Sequence, residues 1–295
     1  MSQIIFSFFL EYNFIYNTKI TVMKKIVIPF DGSHFSKGAF SFVSSLHEIK
    51  PVLLTGIFLP EVDYARFFFF PTAFAAPAYI PGIEDFEEEK VDTNVEQFAE
   101  ACQRNFIEYR VHKDLLDSSI PQLTKETRFA DLMVIGSETF YTNGIVNGSN
   151  EYLKDALHTT ECPVIIVPEK FNFPSNIILA YDGSASSVYA IKQFANLFPE
   201  LCNLKTILVY AGDEKHNLPD QVLIEELAAR HFENLTITKL NSDHKNEINN
   251  WLSEHKDSLL VSGSFGRSGV SEIFSRSFII DIIKEHTTPV FIAHN

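Results

Sequence analysis

The sequence predicts an α/β fold built twice over: a parallel sheet with helices on both faces, repeated along one chain. Three observations predict it. Short, near-continuous apolar runs alternate with longer stretches of helical period, and such runs suit strands buried on both faces. A strand that ends in Asp-Gly-Ser occurs twice, at Ile26–Ser33 and at Ile177–Ser184. The length of 295 residues suits two units, at about 150 residues each.

In the second half, strands are expected near 176–181, 204–210, 234–239, 258–262 and 289–293. Helices are expected between them, near 185–198, 219–231, 244–254 and 271–286. This alternation implies a parallel sheet. The first half repeats the pattern around an insertion from Pro60 to Glu89. The insertion holds the aromatic run Phe67–Phe70 and the acidic run Glu84–Glu89. It is too apolar for a free loop, so it either folds down over the protein or forms a lid or contact patch.

The repeat is visible at both ends of each half. Ile26-Val-Ile-Pro-Phe-Asp31 faces Ile177-Ile-Leu-Ala-Tyr-Asp182, and Leu132-Met-Val-Ile-Gly136-Ser137 faces Leu259-Leu-Val-Ser-Gly263-Ser264. Cys162-Pro163-Val-Ile-Ile-Val167 faces Thr288-Pro289-Val-Phe-Ile-Ala293. The expected division is an extension at 1–22, a first domain at 23–170 and a second at 171–295. In the extension, the apolar run Ile4–Leu10 is too short to span a membrane. The extension also lacks the basic start and small-residue cleavage site of a signal peptide. Two readings fit it: an upstream-start artefact with the native chain beginning at Met23, or a docking segment that covers apolar surface.

The formal charge of −14 and pI near 5.1 leave no basic footprint for nucleic acid. Cys102, Cys162 and Cys202 lie far apart, so neither a disulfide framework nor a metal spacing is expected. They read as buried, reduced packing residues of a cytoplasmic protein. The scattered histidines predict no metal site.

Chemistry is expected at the carboxyl ends of the strands. Asp31-Gly32-Ser33 and Asp182-Gly183-Ser184 each follow a first strand and open a helix. Glycine permits the tight turn, the serine caps the helix and the carboxylate enters the crevice. The same tripeptide also makes a good strand-to-helix turn with no ligand at all. After the fourth strand of the second half stands Gly263-Ser-Phe-Gly266-Arg267-Ser-Gly269, with Arg276-Ser277 beyond it. Glycines there let backbone approach a phosphate near a helix N-terminus.

These residues resemble the universal stress protein family in its tandem-domain form, over nearly the whole chain from Met23 to Asn295. The resemblance implies Rossmann-like (adenine nucleotide alpha hydrolase-like) domains, each a five-stranded parallel sheet of order 3-2-1-4-5. It implies pairing of the two domains through their last strands, as an internal pseudo-dimer. Many members bind ATP or a related adenine nucleotide through Gly-x-x-Gly-x9-Gly-(Ser/Thr), with the early Asp near the ribose and adenine. Others lack the motif and bind no ATP.

In the second half Asp182, Gly183, Ser184, Gly263, Gly266 and Ser277 match the pattern. Arg276 replaces the family's glycine, and either pairs with a phosphate or fills its space. Arg267 lies in the turn, and adenine contacts are expected around Val209 and Tyr210. In the first half Asp31, Gly32, Ser33 and Gly136 match. Thr139 replaces the second glycine, and Gly148-Ser149 comes one residue early. That pocket is expected to bind nucleotide poorly or not at all.

The leading functional expectation is a non-catalytic stress-response module that binds an adenine nucleotide, with Mg²⁺, chiefly in its second half. No cofactor is expected to be essential. The alternative is a ligand-free tandem scaffold that meets a protein partner or a second copy of itself. An enzyme is the least supported reading, because neither a Gly-x-x-x-x-Gly-Lys-(Ser/Thr) loop nor a nucleophile–base constellation is present.

Overall fold

A computed structural model describes residues 23–31, 34–59, 83–113, 119–138, 145–146, 149–212, 217–241, 251–255, 257–263, 282–283 and 285–293. The first half runs β1 (Lys24–Phe30), α1 (Lys37–Ile49), β2 (Val52–Phe58), α2 (Ile83–Arg104), β3 (Glu108–Lys113), α3 (Ser119–Arg128) and β4 (Leu132–Gly136). The short strands β5 (Ile145–Val146) and β6 (Ser149–Asn150), then α4 (Glu151–Thr159) and β7 (Val164–Val167), complete it. The second half runs β8 (Asn176–Tyr181), α5 (Ala185–Leu197), a 3-10 turn at Pro199–Leu201, β9 (Lys205–Gly212) and α6 (Gln221–His231). It closes with β10 (Asn234–Asn241), β11 (Ser258–Gly263) and β12 (Val290–Ala293).

Ten strands make one sheet, in the order β10-β9-β8-β11-β12-β7-β4-β1-β2-β3. Each half therefore contributes a parallel sheet of order 3-2-1-4-5. The halves join where β12 runs antiparallel to β7, with Val290 opposite Ile166, Phe291 opposite Ile165 and Ile292 opposite Val164. All six side chains are buried. Full burial of such a side chain stabilises by about 1.5–3 kcal/mol.

The strands divide the core by alternation. On β8, Ile177, Leu179 and Tyr181 join one apolar cluster, while Ile178 and Ala180 join the other. Helices α1, α2, α5 and α6 pack on the first face, and α3 and α4 on the second. Because both faces are covered, β1 and β8 read as unbroken apolar runs rather than alternating ones.

Further contacts cross the join. Glu200 accepts from Lys24 at 3.4 Å and pairs with Lys50 at 3.1 Å. Lys24 also lies 5.3 Å from the centroid of the Phe198 ring. Phe171 and Phe173, between β7 and β8, pack on Phe42 of α1 at centroid distances of 5.8 and 5.3 Å. Asn172 Nδ2 donates to Asp257 Oδ1 at 3.0 Å. The connecting segment is thus fixed to both halves.

Residues 1–22 and 60–82 lie outside the described residues. The acidic end of the expected insertion is helix, since Ile83–Glu89 form the first turns of α2. Most of the helices expected at 244–254 and 271–286 lie outside the described residues as well. Cys102, Cys162 and Cys202 are free and buried. Among the described residues no helix is long and apolar enough to cross a membrane.

Candidate functional site

In the second half the candidate site lies where β8 ends. Tyr181 is the last strand residue, and Asp182 then turns the chain toward α5. Gly183 holds φ +78°, a left-handed conformation that glycine adopts at no steric cost. Asp182 Oδ1 accepts from the Ser184 amide at 2.9 Å, and Ser184 Oγ caps α5 by accepting from the Ser187 amide at 3.1 Å. Asp-Gly-Ser here is therefore a turn and a cap together. Asp182 is only half buried.

The segment Asn217–Asp220 closes one side of this turn. Tyr181 Oη donates to the Pro219 carbonyl at 2.9 Å. A Cβ on Gly183 would stand 2.8 Å from Pro219 Cβ, so the missing side chain is what lets the proline ring sit there. Burial first, then the carboxylates of Asp220 and Asp182 and the Tyr210 hydroxyl, push the Tyr181 phenol above its ordinary range.

Gly263 ends β11 beside the same turn. A Cβ there would lie 2.7 Å from the Ser186 carbonyl carbon and the Ser187 nitrogen. Its glycine is thus required by the approach of the first turn of α5, a reason independent of any phosphate. Val209 lies in β9, beside Ala180 and Thr238, and is 1% exposed. The strand runs on to Gly212. Tyr210 stands beside Tyr181, at the level of the turn. Gly266, Arg267, Arg276 and Ser277 lie outside the described residues.

The first half departs from the second at the same place. Asp31 is buried, and His34 engages both of its oxygens. The His34 amide donates to Oδ1 at 2.9 Å, and His34 Nδ1 lies 3.1 Å from Oδ2. The helix starts later: Ser36, not Ser33, is the cap, accepting from the Ala39 amide at 3.2 Å. The carboxylate of Glu169 then closes the N-terminus of α1. Ser36 Oγ donates to Oε1, and the amides of Lys37 and Gly38 donate to Oε2 at 3.0 and 3.1 Å. Negative charge at a helix start is favourable, because unpaired N–H groups and the helix dipole converge there. The approach is close because Gly38 has no side chain. A Cβ would fall 2.2 Å from the Pro168 carbonyl oxygen.

Gly136 ends β4, and Ser149 lies in β6 just before α4. Gly32, Ser33, Thr139 and Gly148 lie outside the described residues. Among the described residues no group of three His, Cys, Asp or Glu side chains is placed to hold a metal ion.

Sequence reading missed three residues of this region. His34 carried a signal, standing three positions after Asp31. Glu169 and Pro219 carried none, because each reaches its partner only through the folded topology.

No family model and no curated protein matches the sequence. Solved structures do match the fold. A universal stress protein from Archaeoglobus fulgidus DSM 4304 superimposes with a TM-score of 0.64 at 14% identity, over 92% of this chain and 96% of that one. A functionally unknown protein from Pseudomonas aeruginosa PAO1 gives a TM-score of 0.53 at 11% identity, over 93% of each chain. The chain therefore shares its fold, over nearly its full length, with a universal stress protein.

Proposed function

We propose that the chain is a non-catalytic, universal stress protein-like module that binds an adenine nucleotide in its second half. The observation that carries this reading is the contrast between the two first-strand aspartates. Asp31 is buried and held by His34, and the nearby helix start is filled by Glu169. Asp182 is half buried, with one oxygen engaged by its own turn. A carboxylate at the end of a first strand, beside a glycine turn, suits a ribose hydroxyl. Gly266, Arg267, Arg276 and Ser277 would then serve the phosphates, and Mg²⁺ would arrive with them. We further place the domain boundary at residues 170/171 and the protein in the cytoplasm.

The competing reading is a ligand-free scaffold, and Gly263 favours it. That glycine is accounted for by helix–strand packing alone. Calorimetric titration with ATP, ADP, AMP and cyclic AMP separates the two. Binding below about 1 mM, equivalent to roughly 4 kcal/mol, is expected. Asp182→Ala should weaken it at least tenfold and Asp31→Ala less than twofold. Equal losses from both substitutions would refute the second-half assignment, and no binding at all would leave the scaffold.

A further inference from the structure

We infer that Leu218–Asp220 is a strap latched over the Asp182–Ser184 turn, with the Tyr181 hydroxyl as its latch. The inference deepens the nucleotide reading and rests on it for its purpose, though not for its existence. Three contacts hold the strap down. Tyr181 Oη donates to the Pro219 carbonyl at 2.9 Å. The Pro219 ring rests on the bare α-carbon of Gly183, where a Cβ would come within 2.8 Å. Leu218 packs on the edge of the main apolar cluster.

One feature works against closure. Asp220, the first residue before α6, sits at φ +46° and ψ +38° and makes no side-chain cap. A left-handed non-glycine residue costs free energy that the surroundings must supply. The strap is therefore held by few contacts against local strain. It lies directly over the turn that presents Asp182.

Tyr181 suits a latch because its ring is fixed. The side chain is 1% exposed and belongs to the core, and its hydroxyl donates to the Pro219 carbonyl. Removing the hydroxyl leaves the ring packed and frees the strap. A single neutral hydrogen bond of this kind shifts an opening equilibrium by about fivefold.

The test is hydrogen exchange by mass spectrometry on the full chain, comparing wild type with Tyr181→Phe. Exchange in peptides covering 217–224 should quicken about fivefold, with β8 and α5 unchanged. Asp220→Gly relieves the left-handed strain at that position, and should slow the same peptides. Unaltered exchange at 217–224 in Tyr181→Phe overturns the latch, as does a uniform rise across the whole second half. ADP titration of both proteins reads the purpose separately. Tighter binding by Tyr181→Phe supports a strap that gates the site, and equal finite affinities overturn the gating. Faster exchange with no ADP binding by either protein sinks the nucleotide reading and leaves the strap established.

Discussion

Glu169 offers the sharpest test of how the helix start of the first half is held. Its carboxylate receives three hydrogen bonds at the start of α1, from Ser36 Oγ and from the amides of Lys37 and Gly38. Glu169→Gln keeps the size and one carbonyl oxygen but removes the charge. Charge-assisted hydrogen bonds are roughly twice as strong as neutral ones, and a partly exposed charge at a helix start is worth about 0.3–1 kcal/mol. Weakening three bonds and losing the dipole interaction should together cost about 2 kcal/mol. In a chain of this size that lowers Tm by about 3 °C, measurable by far-ultraviolet circular dichroism. Glu169→Asp, too short to span the same donors, should lose a comparable amount. Lys170→Gln, exposed next door, is the control and should shift nothing. A Glu169→Gln chain that melts with the wild type would refute the reasoning, because the carboxylate would then be no better than an amide at that helix start.

Three further outcomes are expected. Gly263→Ala forces a methyl to within 2.7 Å of the α5 backbone; overpacking of this kind costs about 1–3 kcal/mol, readable by urea denaturation, and an unchanged midpoint would contradict the packing. For Glu200, burial alone would push the carboxyl up, but its own backbone amide together with Lys50 and Lys24 outweighs burial and holds it below the ordinary value of 4.5. The stability it contributes is present above 4.5 and lost as pH falls through the lower folded value, so Glu200→Gln should lose stability near neutrality and show a flatter acid limb in Tm against pH. Burial pushes the thiols of Cys102 and Cys162 up to about 12 and that of Cys202 to about 11. All three should resist a disulfide reagent at neutral pH until the chain is unfolded, and rapid labelling of the native protein would contradict that burial.

Much of the fold was legible in the sequence because its strands are buried on both faces. Ile177–Tyr181 and Val164–Val167 are apolar runs for that reason, and the expected strand at 176–181 coincides with β8. The order of strands came from resemblance and not from pattern, since periodicity carries no information about neighbours. The site was less legible because its asymmetry is made by distant residues. Asp31-Gly32-Ser33 and Asp182-Gly183-Ser184 look equivalent in one dimension. In three, Glu169 closes one helix start from 132 residues away, counted from Lys37, and the cap moves from the expected serine to Ser36. The expected end of β9, at 210, fell two residues early because the hydrogen-bonded ladder continues to Gly212.

The antiparallel meeting of β7 and β12 has a consequence for synthesis. A ribosome completes Val164-Ile165-Ile166-Val167 early, yet the strand that covers it is made roughly 125 residues later. At about 5–20 residues per second, the first half waits some 6–25 s with an uncharged edge of four apolar residues exposed. Unpaired edges of that kind recruit other chains. Crowded translation of one message would bring nascent first halves together during that interval, and a chaperone that shields the edge would raise the yield of correctly closed monomer more than one that acts after release.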